Sequence, residues 1–324
     1  MLKWFVTLFA VCALGLAVVV VGAYEPDRPL DSLKARWAPP PSTFIQVDGL
    51  RVHLRDEGPR DDALPIVLIH GTSASLHTWE GWAEALRGTR RVVRFDLPGI
   101  GLTDAWTAQK ADYSGESYAR FAQKVLQTLG ISRAVVGGNS LGGEIAWRLA
   151  VLAPHMVDRL ILVDSAGPAF MPKSVPLGFS LARSPYLNWF TEHLLTRSLV
   201  KASITNVYGH PERVTPELVD RYFELTLKEG NRRALTQRLQ SFVPGRGVES
   251  LSEVQQPTLI LWGGQDRLIP PEVAQFFLTR IAHSRLIVYE DLGHVPQEED
   301  PPRTVRDVLA FLSPAVRPSG APSP

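Results

Sequence analysis

Ser140 sits in the run "VVGGNSLGGEIAW" (Val135–Trp147), where "GNSLG" matches G-x-S-x-G. An apolar run that reads as a strand precedes the serine and a helical pattern follows it. A sharp strand-to-helix turn in that setting lifts a hydroxyl clear of the backbone. Gly138 and Gly142 leave the turn the space that side chains would fill. A helix opening at Leu141 would aim unpaired N–H groups at developing negative charge. A serine alone is a weak nucleophile and needs a base, plus a group that orients the base. His294 in "DLGHVPQEEDP" and Asp266 in "LILWGGQDRLIP" are of those types, and each lies just past a later apolar run. His294 would take the Ser140 proton and return it to the leaving group. Asp266 would hold the imidazole tautomer and balance its cation. Each residue also has a plain structural reading as turn former or surface residue. Three of them in this order, at three strand ends, point instead to acyl transfer.

Other residues compete for these roles. Asp164 at the end of "LILVD" is a rival acid one strand earlier, and Asp291 and Asp96 are further carboxylates. Asp96 in "FDLPGIG" is expected to satisfy backbone donors of a tight turn. An oxyanion hole needs two preorganised N–H donors. Leu141 is expected to supply one, and Thr72, with Ser73 as alternative, the other. His70 and Gly71 are expected to support that loop. Eight histidines show neither HExxH nor paired CxxC spacing, so no metal site is signalled. A net charge of +1 without a basic run gives no sign of nucleic-acid binding. Cys12 is the only cysteine, which excludes an intramolecular disulfide.

The elements that must position these residues alternate. Strands are expected at 51–58, 65–71, 91–99, 134–138, 159–167, 257–266 and 285–293. Helices are expected at 79–88, 116–130, 141–154, 270–282 and 303–312. Such alternation implies an α/β fold with a mostly parallel sheet and helices on both faces. Trp79, Trp82 and Trp147 lie on helical patterns and belong in the core. The rhythm fails over 168–250, which is helical in pattern and reads as a lid over the C-terminal strand ends, where such sheets hold their ligands. Residues 44–167 and 251–313 then form the core. Residues 24–43, with prolines at 26, 29 and 39–41, read as a linker, and 314–324 as a disordered tail.

The segment Trp4–Ala23 carries no charge. A helix of about 20 residues matches the roughly 30 Å hydrocarbon core, so a transmembrane anchor is expected. Val21 and Ala23 also make a small-residue cleavage site, so a cleaved signal stays open, as does a buried helix. Lys3 before the segment and Glu25 and Asp27 after it place the N-terminus in the cytoplasm. The main domain would then be extracytoplasmic, anchored or, after cleavage near Ala23, secreted or periplasmic.

The blocks "HGTSASLHTW", "DLPGIGLTD", "GNSLGG", "LWGGQDRLIP" and "LGHVPQEEDP" occur in this order. With them the body from about Phe44 to Leu312 resembles the lid-bearing α/β-hydrolase superfamily. That resemblance implies the α/β-hydrolase fold, the triad Ser140, Asp266 and His294, and no cofactor. A serine nucleophile separates the chain from haloalkane dehalogenases and epoxide hydrolases, which use an aspartate there. The resemblance leaves open a carboxylesterase on small to medium apolar esters, a carbon–carbon bond hydrolase of ring-cleavage products, and a cofactor-free perhydrolase. A non-catalytic binding protein fits an intact triad poorly. A ring-cleavage product carries a carboxylate, for which Arg183, Arg197 and Arg213 are candidate partners.

Overall fold

The apolar runs pair into one eight-stranded sheet in the computed structural model, which describes residues 2–107 and 111–313. The strands are β1 (Thr43–Val47), β2 (Leu50–Glu57), β3 (Ile66–Ile69), β4 (Val92–Phe95), β5 (Ala134–Asn139), β6 (Val157–Val163), β7 (Thr258–Gly263) and β8 (Ser284–Tyr289). Their order is β1-β2-β4-β3-β5-β6-β7-β8. β2 pairs antiparallel with β1 and with β4, and every later pair is parallel. β3, β4, β5 and β7 are buried along their whole length, the physical reason for the mostly apolar runs, which only Arg94 of β4, Asn139 of β5 and Thr258 of β7 interrupt with a polar side chain. β1 is an addition to the expected strands. Asp48 and Gly49 join it to β2 with φ of 53° and 81°, the hairpin geometry that Asp-Gly favours.

The helices are α1 (Leu2–Ala23), α2 (Leu30–Trp37), α3 (Glu80–Leu86), α4 (Gly115–Thr128), α5 (Leu141–Leu152), α6 (Leu177–Ala182), α7 (Asn188–His193), α8 (Arg197–Val207), α9 (Pro216–Thr226), α10 (Asn231–Ser241), α11 (Glu272–Arg280), α12 (Pro296–Glu299) and α13 (Pro301–Leu312). On one face of the sheet, Tyr118, Phe121 and Val125 of α4 pack with Ile145 and Leu149 of α5 and Phe277 of α11. On the other, Trp82 and Leu86 of α3 pack with Val305 and Val308 of α13. Trp79, Trp82 and Trp147 are fully buried.

Between β6 and β7 the chain forms α6 to α10 and, among the described residues, no strand of the sheet. Val200 and Ile204 of α8 meet Val219 and Phe223 of α9 in a separate apolar cluster. Val295, next to His294, joins that cluster from the core side.

The stretch 24–43 departs from a plain linker. Pro29 stands just before α2 and Pro39 just past its C-cap Ala38. Prolines so placed bracket an eight-residue helix instead of breaking one. Leu30, Leu33 and Trp37 are buried against Leu102 and Leu225. The segment is also tied to the helical stretch between β6 and β7 by bridges Tyr24–Leu194 and Arg28–Lys228.

α1 covers the segment expected to cross a membrane, and several of its side chains lie outside the described set. Among the described residues, no helix is long and apolar enough to cross a membrane. The expected disordered tail, 314–324, falls outside the described residues.

Candidate active site

Ser140 caps α5 with φ 55° and ψ −118°, a region few side chains adopt. Neighbouring backbone holds it there. Its N–H donates to Val163 O at 3.0 Å, and its carbonyl accepts from Glu144 N at 3.1 Å and Ala166 N at 3.0 Å. A Cβ on Gly142 would lie 2.0 Å from the carbonyl oxygen of Ile69, and one on Gly138 2.0 Å from that of Gly142. The first turn of α5 therefore crosses the end of β3 at backbone contact, which only glycine permits. A Cβ on Gly71 would press on the Ser140 Cβ at 3.1 Å.

His294 and Asp266 lie side by side. His294 Nδ1 lies 2.7 Å from Asp266 Oδ2, both residues being buried. Asp266 Oδ1 accepts from Leu268 N at 2.8 Å and Ile269 N at 2.9 Å, which fixes the carboxylate. With Nδ1–H committed to Asp266, Nε2 carries the free lone pair. The His294 carbonyl accepts from Asn139 Nδ2 at 2.9 Å. Its N–H donates to Val207 O of α8 at 2.7 Å, so the loop carrying His294 is fastened to that helix. Ser140 and His294 line one cavity of about 780 Å³. Ser140 Oγ makes no hydrogen bond among the described residues. Such contacts commonly tighten only once substrate is bound.

Asp164 reaches the same spot without joining the pair as the orienting acid. Its Oδ1 accepts from Gly263 N at 2.9 Å, and its Oδ2 is buried without a partner among the described residues. Burial, and then the charge of Asp266, push its carboxyl well above the usual range. Asp164, Asp266 and His294 each present a donor atom within 4.8 Å of the others. A metal ion there would have to displace the contacts that fix Asp266 and His294, whereas a proton on Asp164 satisfies its orphan oxygen.

The loop after β3 is held from both sides. His70 Nδ1 donates to Gly71 O at 2.8 Å, and its Nε2 accepts from Leu97 N at 3.0 Å. Burial holds its pKa below the ordinary value, in keeping with that neutral form. Asp96 accepts from Leu76 N at 2.7 Å and Leu102 N at 2.8 Å. Thr72 and Leu141 both line the cavity. Leu141 opens a helix, so its N–H has no acceptor within that helix. Ser73 has φ 59° and a buried hydroxyl with no partner among the described residues.

The rest of the cavity is mostly apolar, with Phe170, Phe179, Leu199, Leu239 and Phe242 in its wall and Ala23 at its margin. Of the arginines expected to meet a carboxylate, Arg183 lines it. Arg197 pairs instead with Asp220, and Arg213 donates to Glu299 O at 2.8 Å. The buried arginines that reach the cavity, Arg232 and Arg238, were not among those expected. They lie on α10, whose pattern "NRRALTQRLQS" carries too few apolar residues to reveal its inner face.

Residues 65–301, well over half the chain, match the family model described as alpha/beta hydrolase fold. The chain is 31% identical to Lipase 1 of Psychrobacter immobilis over 77% of each chain. It is also 31% identical to the 2-hydroxy-6-oxononadienedioate/2-hydroxy-6-oxononatrienedioate hydrolase of Burkholderia vietnamiensis, over 84% of this chain and 95% of that one. Among solved structures it is similar to a bacterial membrane phospholipase A. That match has TM-score 0.70 and 26% identity, and covers 96% of this chain and 97% of the other.

Proposed function

The chain belongs to the alpha/beta hydrolase fold family, and from that premise we propose a serine hydrolase of carboxylic esters with apolar acyl groups, held at a membrane by α1. The observation that carries this reading is the cavity, which joins Ser140 and His294 to a mostly apolar chamber of about 780 Å³. A chamber of that size and lining suits an acyl chain. In the proposed cycle His294 Nε2 accepts the Ser140 Oγ proton as Oγ attacks the ester carbonyl. The N–H groups of Leu141 and Thr72 receive the oxyanion. The alcohol leaves with the proton from His294. Water, activated by the same base, then splits the acyl-enzyme into acid and free Ser140.

Two observations support the anchor. α1 leaves Trp4, Phe5, Phe9 and Leu14 exposed, a surface suited to hydrocarbon. The similarity to the membrane phospholipase A extends over 96% of the chain. Ala23 lines the cavity and its carbonyl accepts from Leu195 N at 2.9 Å, which favours retention of the segment over cleavage there. Lys3 and the α-amino group at the start of α1 support a catalytic domain on the extracytoplasmic side.

Ser140→Ala is the direct test. We expect hydrolysis of p-nitrophenyl butyrate to fall by up to about 10⁶-fold in kcat, by analogy with subtilisin. Labelling by a fluorophosphonate should also be lost. Hydrolysis at the parent rate would overturn the reading. Carbon–carbon bond hydrolysis is the second reading, favoured by a guanidinium in the cavity wall. A ring-cleavage product turned over faster than any ester would establish it instead.

A further inference from the structure

Two guanidiniums from α10 stand in the mostly apolar cavity wall, Arg232 at 4% exposure and Arg238 at 6%. Arginine stays charged throughout the accessible pH range, so a buried one needs a counter-charge. Arg232 has its own. Its Nη2 lies 2.6 Å from Asp27 Oδ1 and 2.7 Å from the Glu25 carbonyl oxygen. Arg238 does not. Among the described residues its one ion pair is to Glu144, at 3.4 Å, and Glu144 already holds Arg148 Nε at 2.9 Å. One carboxylate therefore faces two guanidiniums. Arg238 Nε is buried with no partner among the described residues, while Phe242 covers the group, 5.0 Å away. Ser140 and Arg238 line the same cavity. The surplus positive charge thus shares a cavity with Ser140, on a side chain that is 6% exposed.

We propose that Arg238 reads an oxyanion on the substrate, and that the preferred esters carry a carboxylate or phosphate. The inference rests on the ester-hydrolase reading above. The incoming anion supplies a counter-charge that Arg238 need not share and an acceptor for Nε–H, while the apolar wall holds the chain. The planar guanidinium presents two parallel N–H groups that match such an anion, a geometry lysine lacks.

Two pairs of esters test it and separate the two sides of the bond. Ethyl hemisuccinate against diethyl succinate places the anion on the acyl side. Monodecanoylglycerol phosphate against monodecanoylglycerol places it on the alcohol side. A hydrogen bond to a charged group is worth about 1.5–3 kcal/mol, roughly 10- to 100-fold. In Arg238→Gln the anionic-to-neutral ratio of kcat/KM should fall by about that factor in at least one pair. Arg238→Lys should restore part of the loss. Unchanged ratios in both pairs overturn the proposal. A measurement on the parent protein guards against a misfolded variant: decyl phosphate should inhibit more strongly than decanol, and equal or weaker inhibition overturns it too. If monodecanoylglycerol is hydrolysed and Ser140 is labelled by a fluorophosphonate while the ratios stay put, this inference alone fails. If there is neither hydrolysis nor labelling, the ester-hydrolase reading falls and takes this inference with it.

Discussion

Asp164 and Asp266 leave the neighbouring strands β6 and β7 and arrive at one buried spot beside His294. Two carboxylates so placed cannot both ionise cheaply. Asp266 is the one fixed by two amides and by His294, so Asp164 keeps the proton. The consequence for stability has a definite sign. Unfolded, Asp164 titrates near its ordinary value of 3.8; folded, its pKa lies well above that. Below the unfolded value both states hold the proton and the group's contribution is complete. As pH rises toward the folded value the unfolded chain releases a proton that the folded chain retains, and stability is lost. Asp164→Asn keeps the shape and a donor toward Asp266 but does not titrate. Its melting temperature relative to the parent should therefore climb as pH rises above about 4. A difference that stays flat with pH would show that Asp164 is ionised in the folded protein. At this scale the sequence was most legible where covalent geometry decides. The glycines around Ser140 announce a turn too tight for side chains. The pairing of two acids from separate strands needs the register of the sheet, which no local pattern carries.

Elements were legible where periodicity and caps agree. In α4, Ser114 accepts from Ser117 N at 3.2 Å, and Tyr118, Phe121, Ala122 and Val125 are buried at helical spacing. Where the signals conflict the sequence misled. The prolines around α2 argue against a helix, yet the helix lies wholly between them and its apolar residues find partners in Leu102 and Leu225. Trp37 is its main attachment, buried against Leu225 with Nε1 donating to Glu224 Oε2 at 2.6 Å. Trp37→Ala should lower the unfolding free energy by about 3–5 kcal/mol, read from denaturant midpoints. Trp37→Phe keeps most of the area and should cost about 1 kcal/mol for the lost hydrogen bond. If the alanine variant unfolds at the parent midpoint, α2 is a tether without structural weight. β1 was missed for a different reason. Its five residues are only partly buried, and the informative signal is the Asp48-Gly49 turn that follows them.

At the scale of the molecule, the exit from α1 is built into the helical stretch between β6 and β7, expected to act as a lid. Leu195 N donates to Ala23 O, Glu25 N to His193 O at 3.0 Å, and Arg28 N to Leu227 O at 2.6 Å, while Asp27 supplies the counter-charge of buried Arg232. These ties join positions far apart in sequence through isolated bridges, which is why composition marks the region only as a linker. They separate two roles that a single truncation would confuse. A chain beginning at Tyr24 lacks α1 but keeps the residues from Tyr24 to Arg28 on the lid. A chain beginning at Pro29 loses both, and leaves Arg232 buried without its carboxylate. Both should leave the membrane fraction if α1 is the anchor. The second should also be less stable by about 1–3 kcal/mol, the cost of an unsatisfied buried polar group, and its lid should be cut sooner by protease. Equal melting temperatures and equal protease resistance for the two chains would mean that residues 24–28 merely touch the lid. A Tyr24 chain that still sediments with membranes would move the anchoring role from α1 to the catalytic body.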